Sequence, residues 1–169
     1  MSERLTQIEK KIEVLANVAI VLVAFSIVGV LLYKCSPNKP QTPELKIGGQ
    51  FSLPGANWSN HKQTLVLLLQ KSCHFCVESA PFYQKLSTAS RAQTQTRMLA
   101  VLPNPVDEAK NYLKELGIEI ADIRQADLGA LGVAGTPTIV LVNDQGTIIE
   151  SWVGKLKPEE EEKILQKVS

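Results

Sequence analysis

Aromatic side chains are scarce, at 5% of 169 residues, and neither sign of charge dominates, with a formal net charge of +1. No cluster of lysine and arginine is present either, so the chain lacks both the basic footprint and the stacking platforms of a nucleic-acid binder. Internal repeats and low-complexity tracts are absent. The length therefore accommodates one domain with a sizeable core, plus appendages. Cysteine occurs three times, at Cys35, Cys73 and Cys76. A zinc site needs about four ligands, and Cys35, His61 and His74 do not form a second knuckle at ligand spacing, so no metal site is expected.

What the chain does have is Cys73-His74-Phe75-Cys76, directly after the apolar run Leu65-Val66-Leu67-Leu68-Leu69. A C-x-x-C where a buried strand hands over to a helix is the arrangement of a redox dithiol. The first sulfur lies at the helix N-terminus, where unpaired N–H groups and the helix dipole favour a thiolate. The second lies one turn on, within reach of a mixed disulfide formed on the first. A purely structural disulfide over so short a gap closes a tiny loop and stabilises little. His74, when protonated, favours the Cys73 thiolate; the plainer alternative is an exposed polar residue of the first turn. Phe75 offers an apolar contact to a substrate beside the sulfur.

Val14 to Tyr33 contains no charged side chain. As a helix it spans about 30 Å, the thickness of a bilayer's hydrocarbon core. A cleaved signal peptide is opposed by the length of the run and by its exit, Leu32-Tyr33-Lys34-Cys35, which offers no small-x-small cleavage site. We expect a retained single-pass anchor over residues 14–33. Ahead of it, residues 1–13 form a short cytoplasmic tail whose Leu5, Ile8 and Ile12 mark an amphipathic helix end, with a short coiled coil as the alternative. Residues 34–44 are a linker stiffened by Pro37, Pro40 and Pro43, and the folded domain occupies residues 45–169. Arg4, Lys10 and Lys11 before the span balance Lys34, Lys39 and Lys46 after it, so the positive-inside rule does not orient it. Two considerations place the domain on the exported, periplasmic side of the inner membrane: an uncleaved signal anchor exports the domain C-terminal to it, and disulfides persist in oxidising compartments. Cys35 is then a juxtamembrane thiol that is acylated, paired between molecules or merely tolerated.

Beyond residue 60 strands and helices alternate. Thr64–Gln70 reads as a strand, Cys73 to about Ser87 as one helix, and Arg97–Leu102 as a second buried strand. A helix starts at Asn104-Pro105 and is stopped by Gly117; Ile118–Arg124 is short and extended. Thr138–Val142 and Thr147–Val153 are strands joined by the turn Asn143-Asp144-Gln145-Gly146, and Pro158 opens a last helix. The fold class is α/β with a central mixed sheet flanked by helices.

From about Leu45 to Val168 this pattern resembles the thioredoxin-like superfamily, and within it the membrane-anchored TlpA/ResA-like thiol–disulfide oxidoreductases. Cys73-His74-Phe75-Cys76 falls on the family's redox motif, Pro81 on the proline that kinks its active-site helix, and Gly135-Thr136-Pro137-Thr138 on its cis-proline loop. Gly154 matches a glycine common before the last helix. The resemblance implies that Thr136 and Pro137 position an extended substrate segment beside the dithiol. Two departures stand out. Leu67 occupies the place, six residues before Cys73, where minimal thioredoxins carry a buried acid. Ser79 stands three residues after Cys76, where the TlpA/ResA group often has glutamate; Glu78 is one position early and reads as a solvated helix residue.

The function implied is a membrane-anchored thiol–disulfide oxidoreductase in which Cys73 and Cys76 are catalytic. No cofactor is required, because the sulfurs carry the electrons. The partners implied are protein thiols and disulfides together with a membrane or exported electron donor. Three alternatives remain: a thiol peroxidase, although Leu69-Gln70-Lys71-Ser72 lacks the proline of a peroxidatic signature; a non-catalytic, membrane-held docking module; and a metal-delivery protein, which would require copper binding by the reduced dithiol.

Overall fold

The computed structural model describes residues 17–28 and 45–168, which belong to two separate units. In the first, residues 17–28 are helical, with Val18, Ile20, Leu22 and Phe25 all exposed. The Ser26 hydroxyl donates to the Leu22 carbonyl at 2.8 Å, so this polar group is satisfied within the helix. Among the described residues no helix is long and apolar enough to cross a membrane. The tail 1–13, both ends of the expected span 14–33, and the linker 34–44 with Cys35 lie outside the described residues.

The second unit is built on a five-stranded sheet. Its strands are β1 (Gln63–Leu68), β2 (Thr96–Leu102), β3 (Asp122–Gln125), β4 (Thr138–Asn143) and β5 (Ile148–Val153). The helices are α1 (His74–Glu78), α2 (Ala80–Arg91), α3 (Val106–Glu115) and α4 (Pro158–Val168). The strand order is β3-β2-β1-β4-β5, with β1, β2 and β3 parallel and β4 and β5 each antiparallel to its inner neighbour. β1 is central, and its apolar run is explained by that position: both of its faces are covered. Leu65, Leu67 and Leu69 enter one core cluster, while Val66 and Leu68 enter the other.

The two crossovers β1–α–β2 and β2–α3–β3 step in the same direction across the sheet. Right-handed crossovers that do so set their helices on one face. The buried residues of all four helices accordingly share one cluster: Cys76, Tyr83 and Leu86, then Leu113, then Ile164. On the opposite face the described core residues come from no helix: Phe51 and Leu53 lie ahead of β1, and Leu128 and Leu131 between β3 and β4. The expected mixed sheet with helices is present, but the helices lie to one side of it.

The active-site helix differs from the single helix expected from Cys73 to about Ser87. It is interrupted at Ser79, which ends α1 and serves as the N-cap of α2. Pro81 lies in the first turn of α2. Proline has no N–H to give to the carbonyl four residues earlier, and its ring crowds that carbonyl, so the chain begins a new helix where proline is tolerated.

The β4–β5 turn forms at the expected residues. The Asn143 side-chain oxygen accepts from the backbone N–H groups of Gln145 and Thr147, at 3.0 and 2.9 Å. Gly146 is required twice over. Its φ is +78°, and a Cβ there would come within 2.5 Å of the Trp58 ring.

Candidate functional site: a disulfide beside a cis-proline loop

The end of β1 delivers the chain to the turn before Cys73, whose backbone is extended (φ −86°, ψ 111°) and which is the N-cap of α1. Cys73 and Cys76 are disulfide-bonded, with Cα atoms 5.2 Å apart. Cys76 is fully buried in the helix-side core and Cys73 is half-buried at its margin. The Cys76 N–H donates to Cys73 Sγ at 3.1 Å. α1 has only 5 residues, so this single aimed N–H, rather than a long macrodipole, is the local feature that favours a Cys73 thiolate.

Facing the sulfur from the far side is the loop between β3 and β4. Thr136-Pro137 is cis, and the Thr136 carbonyl oxygen lies 3.3 Å from Cys73 Sγ. The disulfide sulfur has no proton, so this is a close approach. On reduction a Cys73 thiol can donate to that carbonyl, which favours the protonated form and opposes the Cys76 N–H. The loop is fastened on both sides. The Thr138 hydroxyl donates to the Gly135 carbonyl at 2.6 Å, and the Gly154 N–H donates to the Pro137 carbonyl at 2.7 Å. A cavity of about 310 Å³ opens beside it, bordered by Gln70, Pro103, Leu128, Val133 and Thr136. Phe75 and Val153 are more than half exposed, at 53% and 58%.

His74 projects outward with its side chain 80% exposed. Its Nε2 lies 2.9 Å from Glu78 Oε1, and Lys155 Nζ donates to Glu78 Oε2 at 2.8 Å. The hydrogen bond from Lys155 holds the Glu78 carboxyl below the usual carboxylate range, with the charges of Lys155 and His74 adding to it. Glu78 is thus an exposed, engaged anion. The i,i+4 spacing of His74 and Glu78 was visible in the sequence; Lys155, 77 residues downstream of Glu78, was not.

Behind Cys76 the core is apolar. Leu67 is fully buried, with Ala100 and Ile139 as its strand partners. Burial pushes the Tyr83 phenol up to about 12; it stays neutral near pH 7 and is a core side chain there. Among the described residues no group of three or more His, Cys, Asp or Glu side chains could hold a metal ion.

The structure therefore brings Cys73, Cys76, Thr136 and Pro137 together, with His74 and Phe75 on the open side of the pair. Pro81 acts at a distance, where α2 begins. A mixed sheet with a half-exposed C-x-x-C sulfur opposite a cis-proline loop defines a thioredoxin-like protein. The chain belongs to the thioredoxin-like domain family, whose model matches residues 57–169.

Solved structures share the fold. A thiol-disulfide isomerase from Corynebacterium glutamicum has 18% identity over 76% of this chain and 96% of its own, with a TM-score of 0.52. The thioredoxin domain of a thiol-disulfide oxidoreductase from Bacteroides vulgatus has 16% identity over 74% and 96%, with a TM-score of 0.53. StoA from Bacillus subtilis has 17% identity over 65% and 84%, with a TM-score of 0.50. No curated protein matches the sequence. The fold they share with this chain is the thioredoxin-like one, and here its C-x-x-C pair is joined as a disulfide.

Proposed function

We propose that the chain is a membrane-anchored thiol–disulfide oxidoreductase that exchanges electrons with protein dithiols and disulfides on the exported side of the membrane. The observation that carries this reading is the asymmetry of the pair: Cys73 Sγ half-buried and 3.3 Å from the Thr136 carbonyl, Cys76 wholly buried behind it. Cys73 is the sulfur that attacks or is attacked. Cys76 resolves the mixed disulfide from within. Thr136 and Pro137 position the partner, and Phe75 adds an apolar contact beside the sulfur.

Alkylation tests the assignment. After chemical reduction, a small alkylating agent at mildly acidic pH is expected to label Cys73 well before Cys76, since the thiolate is the reactive species and access is limited to one sulfur. Faster labelling of Cys76 would reverse the roles.

Anchoring is supported by the uncharged run from Val14 to Tyr33, and the exported side by where disulfides persist. A reporter active only outside the cytoplasm, fused after Ser169, is expected to be active. Activity confined to a cytoplasmic reporter would remove the exported reading.

A further inference from the structure

The balance at Cys73 between a donor that favours the thiolate and a carbonyl that favours the thiol leaves room for nearby charge to decide. Beside the nucleophile a chain of charged groups is in contact: His74, next to Cys73 in sequence, then Glu78 at 2.9 Å, then Lys155 at 2.8 Å. We propose that Glu78, held by Lys155, sets the reduction potential of the Cys73–Cys76 pair by restraining and neutralising His74. This rests on the reading of the pair as an exchanging couple.

Position gives His74 its influence. Reduction of the disulfide adds two electrons and two protons, and Cys73 then releases one proton to solvent to become the working thiolate. An imidazolium beside that sulfur stabilises the reduced form and makes the pair a stronger oxidant. A carboxylate in contact with the imidazolium cancels most of this charge and ties the ring along the outer edge of α1. Lys155, from the segment after β5, fixes the carboxylate in that role. Glu78 and, through it, Lys155 are the charged groups joined to His74; Lys71, in the turn before Cys73, is a further exposed cation. The groups are partly exposed, so solvent limits the effect.

The test uses the full chain, its disulfide equilibrated with glutathione, so that two glutathione thiols become one glutathione disulfide as Cys73–Cys76 is reduced. Glu78→Gln is expected to move the equilibrium toward the reduced form by roughly threefold to tenfold; tenfold is about 30 mV for this two-electron couple. Lys155→Met, which frees the carboxylate from its anchor, is expected to move it the same way by a smaller factor. In a His74→Ala background the Glu78→Gln shift is expected to vanish. No shift in Glu78→Gln, or an equal shift with and without His74, would overturn the proposal, the second because Glu78 would then act on the sulfur directly.

A second readout needs no exchange: the pH midpoint of Cys73 alkylation after phosphine reduction, expected to fall in Glu78→Gln and to stay put in the His74→Ala pair. An unmoved midpoint in Glu78→Gln would also overturn the proposal. Failure of the wild-type pair to equilibrate with glutathione would count against the exchange function alone, since the midpoint still judges the role of Glu78.

Discussion

Cys76→Ser is expected to accumulate covalent adducts with partner proteins in the membrane fraction, dissolved by reductant and absent from the wild type. The exchange step forms a sulfur–sulfur bond between Cys73 and one sulfur of the partner disulfide while the partner's other sulfur leaves as a thiolate. In the wild type, Cys76 then attacks Cys73 Sγ and the partner departs reduced. Its N–H already touches that sulfur at 3.1 Å, so resolution needs little rearrangement. A serine hydroxyl at neutral pH does not perform that attack, and the mixed disulfide persists. The change in steady-state adduct should be large, from a transient species to the main form of the protein. Cys73→Ser should give no adducts at the dithiol, because its other sulfur, on Cys76, is buried. If Cys76→Ser traps nothing under conditions where the wild type turns over, the exchange mechanism fails and the docking-module reading gains.

The second large effect lies beneath the site. Leu67→Asp places a carboxyl among Ala100, Ile139 and the helix-side core, with no charged partner in that cluster. Desolvation raises the pKa of such a group, by about 3 units for full burial. A 3-unit shift corresponds to about 4 kcal/mol of destabilisation at neutral pH. The lost leucine burial adds about 2 kcal/mol at every pH. The sign is fixed by which state binds the proton. The folded pKa lies above the unfolded value of about 3.9, so the ionisation penalty is absent below pH 4 and grows as pH rises toward about 7. Urea unfolding at pH 5 and pH 7.5 checks it: the variant should lose stability relative to the wild type across that interval. Equal losses at both pH values would show that the space behind Cys76 is hydrated or supplies a cation.

Much of the site was legible because its signals are local. A run of five apolar residues before Cys73 marked the central strand, and the C-x-x-C fixed where the helix begins. Asn143 and Gly146 marked their turn through side-chain acceptor and backbone preference, both of which act within a few residues. Beyond the kink that the resemblance places at Pro81, the full break at Ser79 was not read, because helical periodicity continues through it: Cys76, Ala80 and Tyr83 lie on one face whether or not the backbone is continuous. The one-sided placement of the helices depends on strand order, which no single segment encodes. Lys155 reaches Glu78 only after β4 and β5 have brought it there. The membrane readings concern residues largely outside those described, and the reporter fusion bears on them.

The sheet order also sets a sequence of events for a chain emerging from the ribosome or a translocon. β1 and the two cysteines come first, and β2 can pair with β1 over a short stretch of chain. The strand that carries Thr136 and Pro137 to the sulfur is β4, which adds to the other side of β1, register Leu67 to Ile139. Closing that longer loop is the slower event. Until it closes, the newly made cysteines lack the loop proposed to position a partner, and on that proposal they meet every thiol in the compartment on equal footing. Under the proposed function, discrimination between partners is acquired late, with the arrival of β4, whereas the dithiol itself is complete from the moment Cys76 has emerged.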